Sequence, residues 1–522
     1  MKLHDLTSRI LLMLWLAVLV PIGVTAQEPA PESTPETAPD SAAEISQEVE
    51  DDRGFVTRFL EEKLSGAGRQ VVLEGFQGAL SSRATFRRLT IADDEGVWIT
   101  LENGAMQWQR TALLGRRVQI EELSAERVIL PRRPGAGKSA PQAEAREFGL
   151  PQLPVSVNID KISIGRVELG APVMGIEAVL AVQGSMNLAN GEGTTNLTID
   201  RVDGPRGQFG LVTSFSNETR VLNLDLTLDE DRNGLFTNLV KMNGRPAVKA
   251  EIKGAGPLSD FNAQIQLATD GQPRVAGTVA VTAETRDNAP GTAFRVSLDG
   301  DIAPLIKPDR QEFFAGKSEI RANGWRGQDG ALVIPELKVT TGGLDLSGSV
   351  ETNAQNAPQS ANLTLLLGQD AGATQLPVAV PFGAVPATVR SGSVRLQYDA
   401  AQGSGWSLVG RIGDLSRPDV SLSEVRLDGR GRVVLTPEQA LQEVRGWVAF
   451  GMDDLEPTGP GLADAVGDTL NGGLNFAFTP GNALKLWGMN INGDQFRLTG
   501  DMEVSGLRSG IALSGDVAAE HR

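Results

Sequence analysis

Residues 221–229, VLNLDLTLD, alternate strictly between apolar and polar side chains. Successive side chains of an extended strand point to opposite faces, so this stretch predicts a strand with one apolar and one polar face. The same alternation recurs at 155–159, 294–298, 363–367, 474–478 and 496–498. The chain is therefore predicted to be mostly β, built from many short strands.

Pairs of turn-forming residues punctuate these segments: Asn190-Gly191, Asp203-Gly204, Asp270-Gly271, Gly342-Gly343 and Asn471-Gly472. Asn, Asp and Gly tolerate the positive φ angles that tight hairpin turns require. Strand, tight turn and strand in succession predict a long, repetitive antiparallel meander.

Only a few short helices are predicted. Apolar residues at helical spacing indicate one helix within 55–64 and another within 235–240. The sequence Thr436-Pro437-Glu438-Gln439 predicts a third helix start, with a capping residue, a first-turn proline and a glutamine at the third position.

Composition limits the function classes. The 522 residues include 60 glycines and no cysteine, with a net charge of −17. A polyanion is repelled by nucleic acid phosphates, so a nucleic acid partner is excluded. Without cysteine, the chain has neither disulfides nor thiolate metal sites.

The N-terminus has the order of an export signal. Lys2 and Arg9 precede an apolar run from Ile10 to Val20, and small residues follow at Val24-Thr25-Ala26. Residues 1–26 are predicted to be a signal peptide or a retained signal anchor, both of which this short run allows. Residues 27–52 hold nine acidic residues and four prolines without a Lys or Arg, which predicts an acidic, Pro-rich linker.

No pattern for catalysis, cofactor binding or metal binding is complete. The two histidines, His4 and His521, stand at opposite ends of the sequence. Two Gly-Lys-Ser tripeptides, at 137–139 and 316–318, lack the earlier glycine of a phosphate-binding loop. The chain is therefore predicted not to be an enzyme and to need no cofactor or metal.

Two arginine pairs, Arg116-Arg117 and Arg132-Arg133, could meet anionic lipid headgroups. The alternative is a solvated face, because acidic residues such as Glu121 and Glu122 lie in the same region.

Two stretches resemble a known family. The first, within 71–134, contains GFQGAL at 75–80, LTIAD at 89–93, GVW at 96–98, ALLG at 112–115 and LSAERV at 123–128. The second runs from DRNGL at 231–235 through NGRP at 243–246 to KGAGPLSDF at 253–261. Both resemble TamB, the translocation and assembly module subunit of the AsmA-like group, in its alphaproteobacterial type. Family members are considerably longer, so this chain corresponds to the N-terminal part of the family's length.

The resemblance implies a protein held in the inner membrane by one N-terminal anchor, with its body in the periplasm. It implies an antiparallel β-sheet curved into an elongated groove, and a role in outer-membrane biogenesis. The implied cargo is phospholipid moving between membranes or unfolded outer-membrane protein, including autotransporters. A TamA-like outer-membrane barrel is the implied protein partner.

The domain organisation follows from these observations. After the signal and linker, residues 53–134 form a membrane-proximal AsmA/TamB-like region, 135–150 a second linker, and 151–522 a repetitive β-groove. The groove's candidate lipid-contacting residues are the apolar members of three alternating segments: Leu222, Leu224, Leu226, Leu228, Phe294, Val296, Leu298, Leu363, Leu365 and Leu367.

A closed β-sandwich would give the same alternation, because it also has one buried face and one wet face. The alternative function is therefore a repetitive β-sandwich that serves as a binding or adhesin module of the cell envelope.

Overall fold

The computed structural model describes residues 70–78, 81–115, 117–134, 150, 155–380, 387–458, 466–480, 484–505 and 512–521. The predicted signal, the acidic linker and the helix at 55–64 lie outside the described residues. The described residues form two compact units. Unit 1 extends to Pro257 and includes Thr269–Gly271, and unit 2 comprises Leu258–Ala268 and the chain from Gln272 onward.

Unit 1 is a ladder of ten strands in which each strand pairs with the next. These strands are β1 (Gln70–Glu74), β2 (Arg83–Asp93), β3 (Gly96–Trp108), β4 (Arg117–Leu130), β5 (Ser156–Leu169), β6 (Ala178–Ala189), β7 (Glu192–Arg201), β8 (Gly207–Ser216), β9 (Val221–Glu230) and β10 (Val248–Pro257).

One pair in unit 1 departs from the predicted antiparallel meander. β4 and β5 run parallel, with Arg117 opposite Ser156 and Leu130 opposite Leu169. A parallel pair requires the chain to return to the end where it began, so the connection between them is a crossover and not a hairpin.

Two short α-helices lie in unit 1. They are α1 (Ala171–Met174) and α2 (Leu235–Leu239), and α2 confirms the helix predicted within 235–240. None of the helices in the described ranges has both the length and the hydrophobicity to span a bilayer.

Unit 2 contains the remaining strands. They are β11 (Asp260–Thr269), β12 (Gln272–Arg286), β13 (Ala289–Gly300), β14 (Ser318–Gly327), β15 (Leu332–Thr340), β16 (Leu344–Thr352), β17 (Pro358–Gly368), β18 (Val378–Val380), β19 (Ala387–Val389), β20 (Ser391–Asp399), β21 (Gly405–Arg417), β22 (Val420–Leu435), β23 (Leu441–Asp453), β24 (Glu456–Pro457), β25 (Leu470–Phe478), β26 (Leu484–Asn492), β27 (Phe496–Ser505) and β28 (Ala512–His521).

The strands of unit 2 from β12 to β28 pair antiparallel, and two small insertions stand beside the main ladder. β17 pairs directly with β20, so the β18–β19 hairpin lies outside that pairing. β23 likewise pairs with β25, and β24 pairs with β22. Short 3₁₀ turns occupy Arg110–Gly115, Ala303–Leu305, Pro308–Arg310, Glu312–Phe314, Gln369–Ala371 and Ala400–Gln402.

Two local predictions are wrong. Thr436–Gln439 is not a helix start but a tight turn between β22 and β23, in which the Gln439 amide donates to the Thr436 carbonyl. Residues 436–440 instead close a hairpin, because the Thr436 amide donates to the Ala440 carbonyl and Leu435 pairs with Leu441. Asn471-Gly472 lies inside β25 and not in a turn. By contrast, Asn190-Gly191 and Asp270-Gly271 both have the paired positive φ angles of type I′ turns.

The predicted fold class is confirmed. The chain is mostly β, repetitive and predominantly antiparallel, with few short helices, and all six alternating segments contribute to strands. Within each unit this arrangement is consistent with a curved groove.

Candidate functional site: an apolar inner face

Each unit has one face on which apolar side chains align from strand to strand, here called the inner face. In unit 1 the candidate residues of β9 lie on it, and their neighbours in the register are apolar or glycine apart from Thr213, which is opposite Leu224. Leu226, for example, stands between Leu211 of β8 and Ile252 of β10. Leu222, Leu224 and Leu228 occupy the same face at alternate positions.

A single row crosses unit 1 from β2 to β10 without a polar side chain. Its members, the central row of unit 1, are Ala84, Met106, Leu123, Ile162, Gly184, Leu197, Leu211, Leu226 and Ile252. At about 4.8 Å per strand, these nine residues extend over roughly 38 Å of sheet. All of them except Ala84 are half-buried and not fully enclosed.

Unit 2 repeats this arrangement at greater length. Its central row is Leu298, Ile320, Val339, Leu346, Leu365, Val394, Gly410, Leu427, Phe450, Gly472, Ile491, Leu498 and Ala519. At about 4.8 Å per strand, the row is roughly 58 Å long. The structure thus brings the candidates of β13 and β17 onto one face, since Leu298 and Leu365 belong to the same row.

The remaining candidates flank this row. Phe294 and Val296 lie beside Leu298 on β13, and Leu363 lies beside Leu365 on β17. All are half-buried. Leu367 differs from them, because it is only 5% exposed and belongs to an enclosed cluster.

That cluster closes one margin of the inner face of unit 2. Its buried members, here called the closed margin, are Phe313, Leu367, Val378 and Val389. Phe313 comes from a 3₁₀ turn and Val378 and Val389 from the β18–β19 hairpin, so the elements outside the main ladder cover the face at this edge. Phe313 and Val389 are each 1% exposed.

Unit 1 has a comparable cover. Leu235 of α2 packs among Ala125, Val128, Val167, Ala178 and Leu180. Glu230 holds α2 in place, because its carboxylate accepts hydrogen bonds from the amides of Leu235 (3.1 Å) and Phe236 (2.9 Å). Burial raises the pKa of Glu230, and these two amides oppose that shift. The alternation pattern gave no indication of this buried carboxylate.

Aromatic rings on the inner face lie flat over glycines of the neighbouring strand. Phe86 covers Gly104, Phe294 covers Gly324, and a Cβ atom built on Gly472 would lie 2.8 Å from the Phe450 ring. Pairing an aromatic residue with a glycine lets the ring lie along the sheet. The face therefore stays shallow even where its side chains are large. Glycines at the apolar positions of strands are the sequence signal for this device.

The opposite, outer face of unit 1 carries charge. Glu102 accepts from Arg88 at 3.1 Å and Arg127 at 3.4 Å, and Glu168 binds Arg127 and Arg166, each at 2.6 Å. Hydrogen bonds from Arg127 and Arg166 lower the pKa of Glu168 to about 2. The two faces are therefore chemically distinct, which fixes the strand register.

The arginine pairs considered for lipid headgroups are partly engaged. Arg132 forms an ion pair with Asp93 and donates to the Gly96 carbonyl at 2.6 Å. Arg133 donates to the Val173 carbonyl at 2.9 Å. Arg117 is exposed, and Arg116 lies outside the described residues. Groups of the chain itself therefore already bind Arg132 and Arg133.

No known family model, curated protein or solved structure matches this chain. Function is therefore inferred from the residues themselves.

Proposed function

We propose that the inner face binds the acyl chains of phospholipids and serves their movement between the membranes of a bacterial envelope. The supporting observation is that most residues of the central rows are half-buried, the exceptions being Ala84 and Gly410, which are buried, and Ile320 and Ala519, which are exposed. A soluble protein rarely leaves a continuous apolar surface of more than a few hundred Å² uncovered. Rows roughly 38 and 58 Å long without one charged side chain need an apolar occupant.

The shape of the face favours acyl chains over unfolded polypeptide as that occupant. Backbone N–H and C=O groups along paired strands are already satisfied within the ladder. A polypeptide lying on such a face would bury its own amides without partners, at a cost of about 1–3 kcal/mol each. An acyl chain has no polar groups to satisfy, and the flat aromatic rings leave room for it.

A closed sandwich is less well supported. In a sandwich the inner positions of both sheets meet and are fully buried. Here full burial occurs at margins such as Phe313 and Leu235, whereas Leu226 and Leu365 in the central rows are half-buried and Ile320 is 40% exposed.

In this proposal the chain is the inner-membrane-tethered, periplasmic factor for outer-membrane biogenesis that the resemblance to TamB implies. The exported N-terminus would supply the tether, and a TamA-like barrel the outer-membrane partner. Barrel and autotransporter assembly would then depend on the lipid that the inner face carries.

Site-specific crosslinking tests the proposal. A photo-crosslinking amino acid is placed at Leu226 or Leu365, and at Thr227 as a control, because Thr227 follows Leu226 on β9 but is exposed on the outer face. We expect phospholipid adducts at the two leucine positions and none at Thr227. Adducts with polypeptide alone, or equal labelling at Thr227, would refute acyl-chain binding.

Charge introduced on the same face gives the second test. Leu224→Asp with Leu226→Asp is expected to abolish lipid adducts on the inner face of unit 1, measured with the crosslinker at Leu211 of the same row. The chain should stay folded, since half-buried positions let a carboxylate reach water. Circular dichroism and a melting curve check the folding. Global unfolding of this variant would indicate a closed core instead.

A further inference from the structure

The outer face of unit 2 carries a group of side chains that the inner face does not use. It is here called the Trp platform and consists of Arg430, Arg432, Arg445, Trp447, Asn475 and Trp487. These residues line a shallow, solvent-open hollow across β22, β23, β25 and β26.

The strand register places the two indoles in one row. Arg430 is opposite Trp447, Trp447 is opposite Asn475, and Asn475 is opposite Trp487. One strand separates the indoles, so they stand about 10 Å apart. Trp447 and Trp487 are 39% and 40% exposed. The outer-face positions that flank Trp447 and Asn475 on β23 and β25 are polar or small. Large indoles left this open on a polar face indicate a contact surface.

Trp447 lies along the sheet and does not project from it. A Cβ atom built on Gly473 would lie 3.1 Å from the indole nitrogen of Trp447, so glycine makes room for the ring. The Arg430 guanidinium lies 6.0 Å from the centre of the same ring. A flat ring cannot insert between lipid headgroups, but it can stack against a flat ligand.

Two cations of the platform are close enough to repel each other. Arg432 and Arg445 face each other directly across β22 and β23, and like charges in that position destabilise a sheet. Arg445 has Glu443 at 3.6 Å and Arg430 has Asp428 at 3.3 Å. Among the described residues, Arg432 has no ion-pair partner. An anion between Arg432 and Arg445 would remove this repulsion.

We propose that the Trp platform binds an acidic saccharide. Pyranose rings carry C–H bonds on their flat faces and pack against indoles. The Asn475 amide between the indoles can hydrogen-bond sugar hydroxyls, and its side-chain nitrogen lies 3.4 Å from the Trp487 carbonyl. In this arrangement a carboxylate or phosphate of the saccharide lies between Arg432 and Arg445, which are suited to bidentate binding of such groups. The local positive charge complements the ligand, although the whole chain has a net charge of −17.

Binding of the full chain to oligogalacturonate, in which every sugar carries a carboxylate, tests the proposal. A neutral malto-oligosaccharide and phosphatidylglycerol vesicles are compared in the same calorimetric titration. We expect oligogalacturonate alone to bind at the platform. Trp447→Ala with Trp487→Ala, and separately Arg432→Gln with Arg445→Gln, should each weaken that binding by at least about tenfold.

The matched control is Arg87→Gln with Val212→Ser, which removes a cation and an exposed apolar side chain from the outer face of unit 1. It should bind oligogalacturonate like the unmodified chain. Because the arginine variant removes a like-charge pair, its melting temperature should not fall. Failure of oligogalacturonate to bind, binding that survives both platform variants, or vesicle binding that the platform variants abolish would overturn the proposal.

Discussion

Leu365 and Leu367 lie two residues apart on the same face of β17, yet they belong to different regions. Leu367 is enclosed in the closed margin with Phe313, whereas Leu365 is half-buried in the central row between Leu346 and Val394. The margin is covered by elements of the chain itself, and the row is not. One alternating pattern therefore supplies both a folding core and a surface for an occupant.

Replacing each of these two leucines by alanine should give the largest difference in the free energy of unfolding between the two regions. Leu367→Ala removes fully buried methyl groups and is expected to lower the free energy of unfolding by about 2–5 kcal/mol. Leu365→Ala removes groups already partly in water, and about 1 kcal/mol is expected. Urea denaturation of the two variants measures both values. Equal losses would mean that the central row is as closed as the margin.

A methyl group added beneath an aromatic ring should lower the free energy of unfolding by less than Leu367→Ala does. It should also reduce phospholipid binding. Gly324→Ala forces the Phe294 ring off the sheet and should lower stability by about 1–3 kcal/mol. The lifted ring would occupy the inner face, so phospholipid adducts at Leu365 should decrease.

Gly405→Ala is the control for this change, because a Cβ atom there meets no atom closer than 3.8 Å. Adding Phe294→Leu to Gly324→Ala should restore adduct formation. If the single Gly324→Ala variant captured lipid normally, the flat rings would not be what keeps the face open.

Protonation of Glu168 on the outer face should change the free energy of unfolding least, and it should leave the inner face unchanged. Because the pKa of Glu168 is about 2 in the folded chain and near 4.5 when unperturbed, its ionised form stabilises the fold above about pH 4.5. That contribution is lost as the pH falls from 4.5 toward 2. Its side chain is 23% exposed, and solvent screening limits the effect to about 1 kcal/mol or less.

Comparing Glu168→Gln with the unmodified chain isolates this contribution. The difference in unfolding free energy should be largest near pH 7 and should shrink below pH 4.5, with lipid capture unchanged at pH 7. A difference that grew on acidification would contradict the assigned direction of the pKa shift.

The sequence predicted the strands because a period of two follows directly from backbone geometry. It predicted the turns in which glycine adopts the positive φ angle that the turn requires, as at Asn190-Gly191. It was wrong at Asn471-Gly472, where Gly472 accommodates the Phe450 ring inside a strand. The same residue type meets two different needs, and local sequence does not separate them.

The closed margin and the Trp platform could not be predicted from the local sequence pattern, for a related reason. Leu365 and Leu367 have identical periodicity, and only the β18–β19 hairpin and Phe313 make them different. Trp447 and Trp487 are forty residues apart in the chain, and the register of three strand pairings brings them into one row with Arg430. Long-range contacts of this kind depend on which strands pair.

The parallel pairing of β4 and β5 has a consequence for the order of folding. Hairpins join strands that are near in sequence and can form early, whereas Arg117 and Ser156 must meet across the intervening crossover. Contacts between residues far apart in sequence are slow to form. The ladders on either side can therefore assemble as separate blocks, and the junction between β4 and β5 is expected to close last. Pulsed hydrogen exchange should find the amides that bond β4 to β5 protected later than those that bond β5 to β6 or β8 to β9.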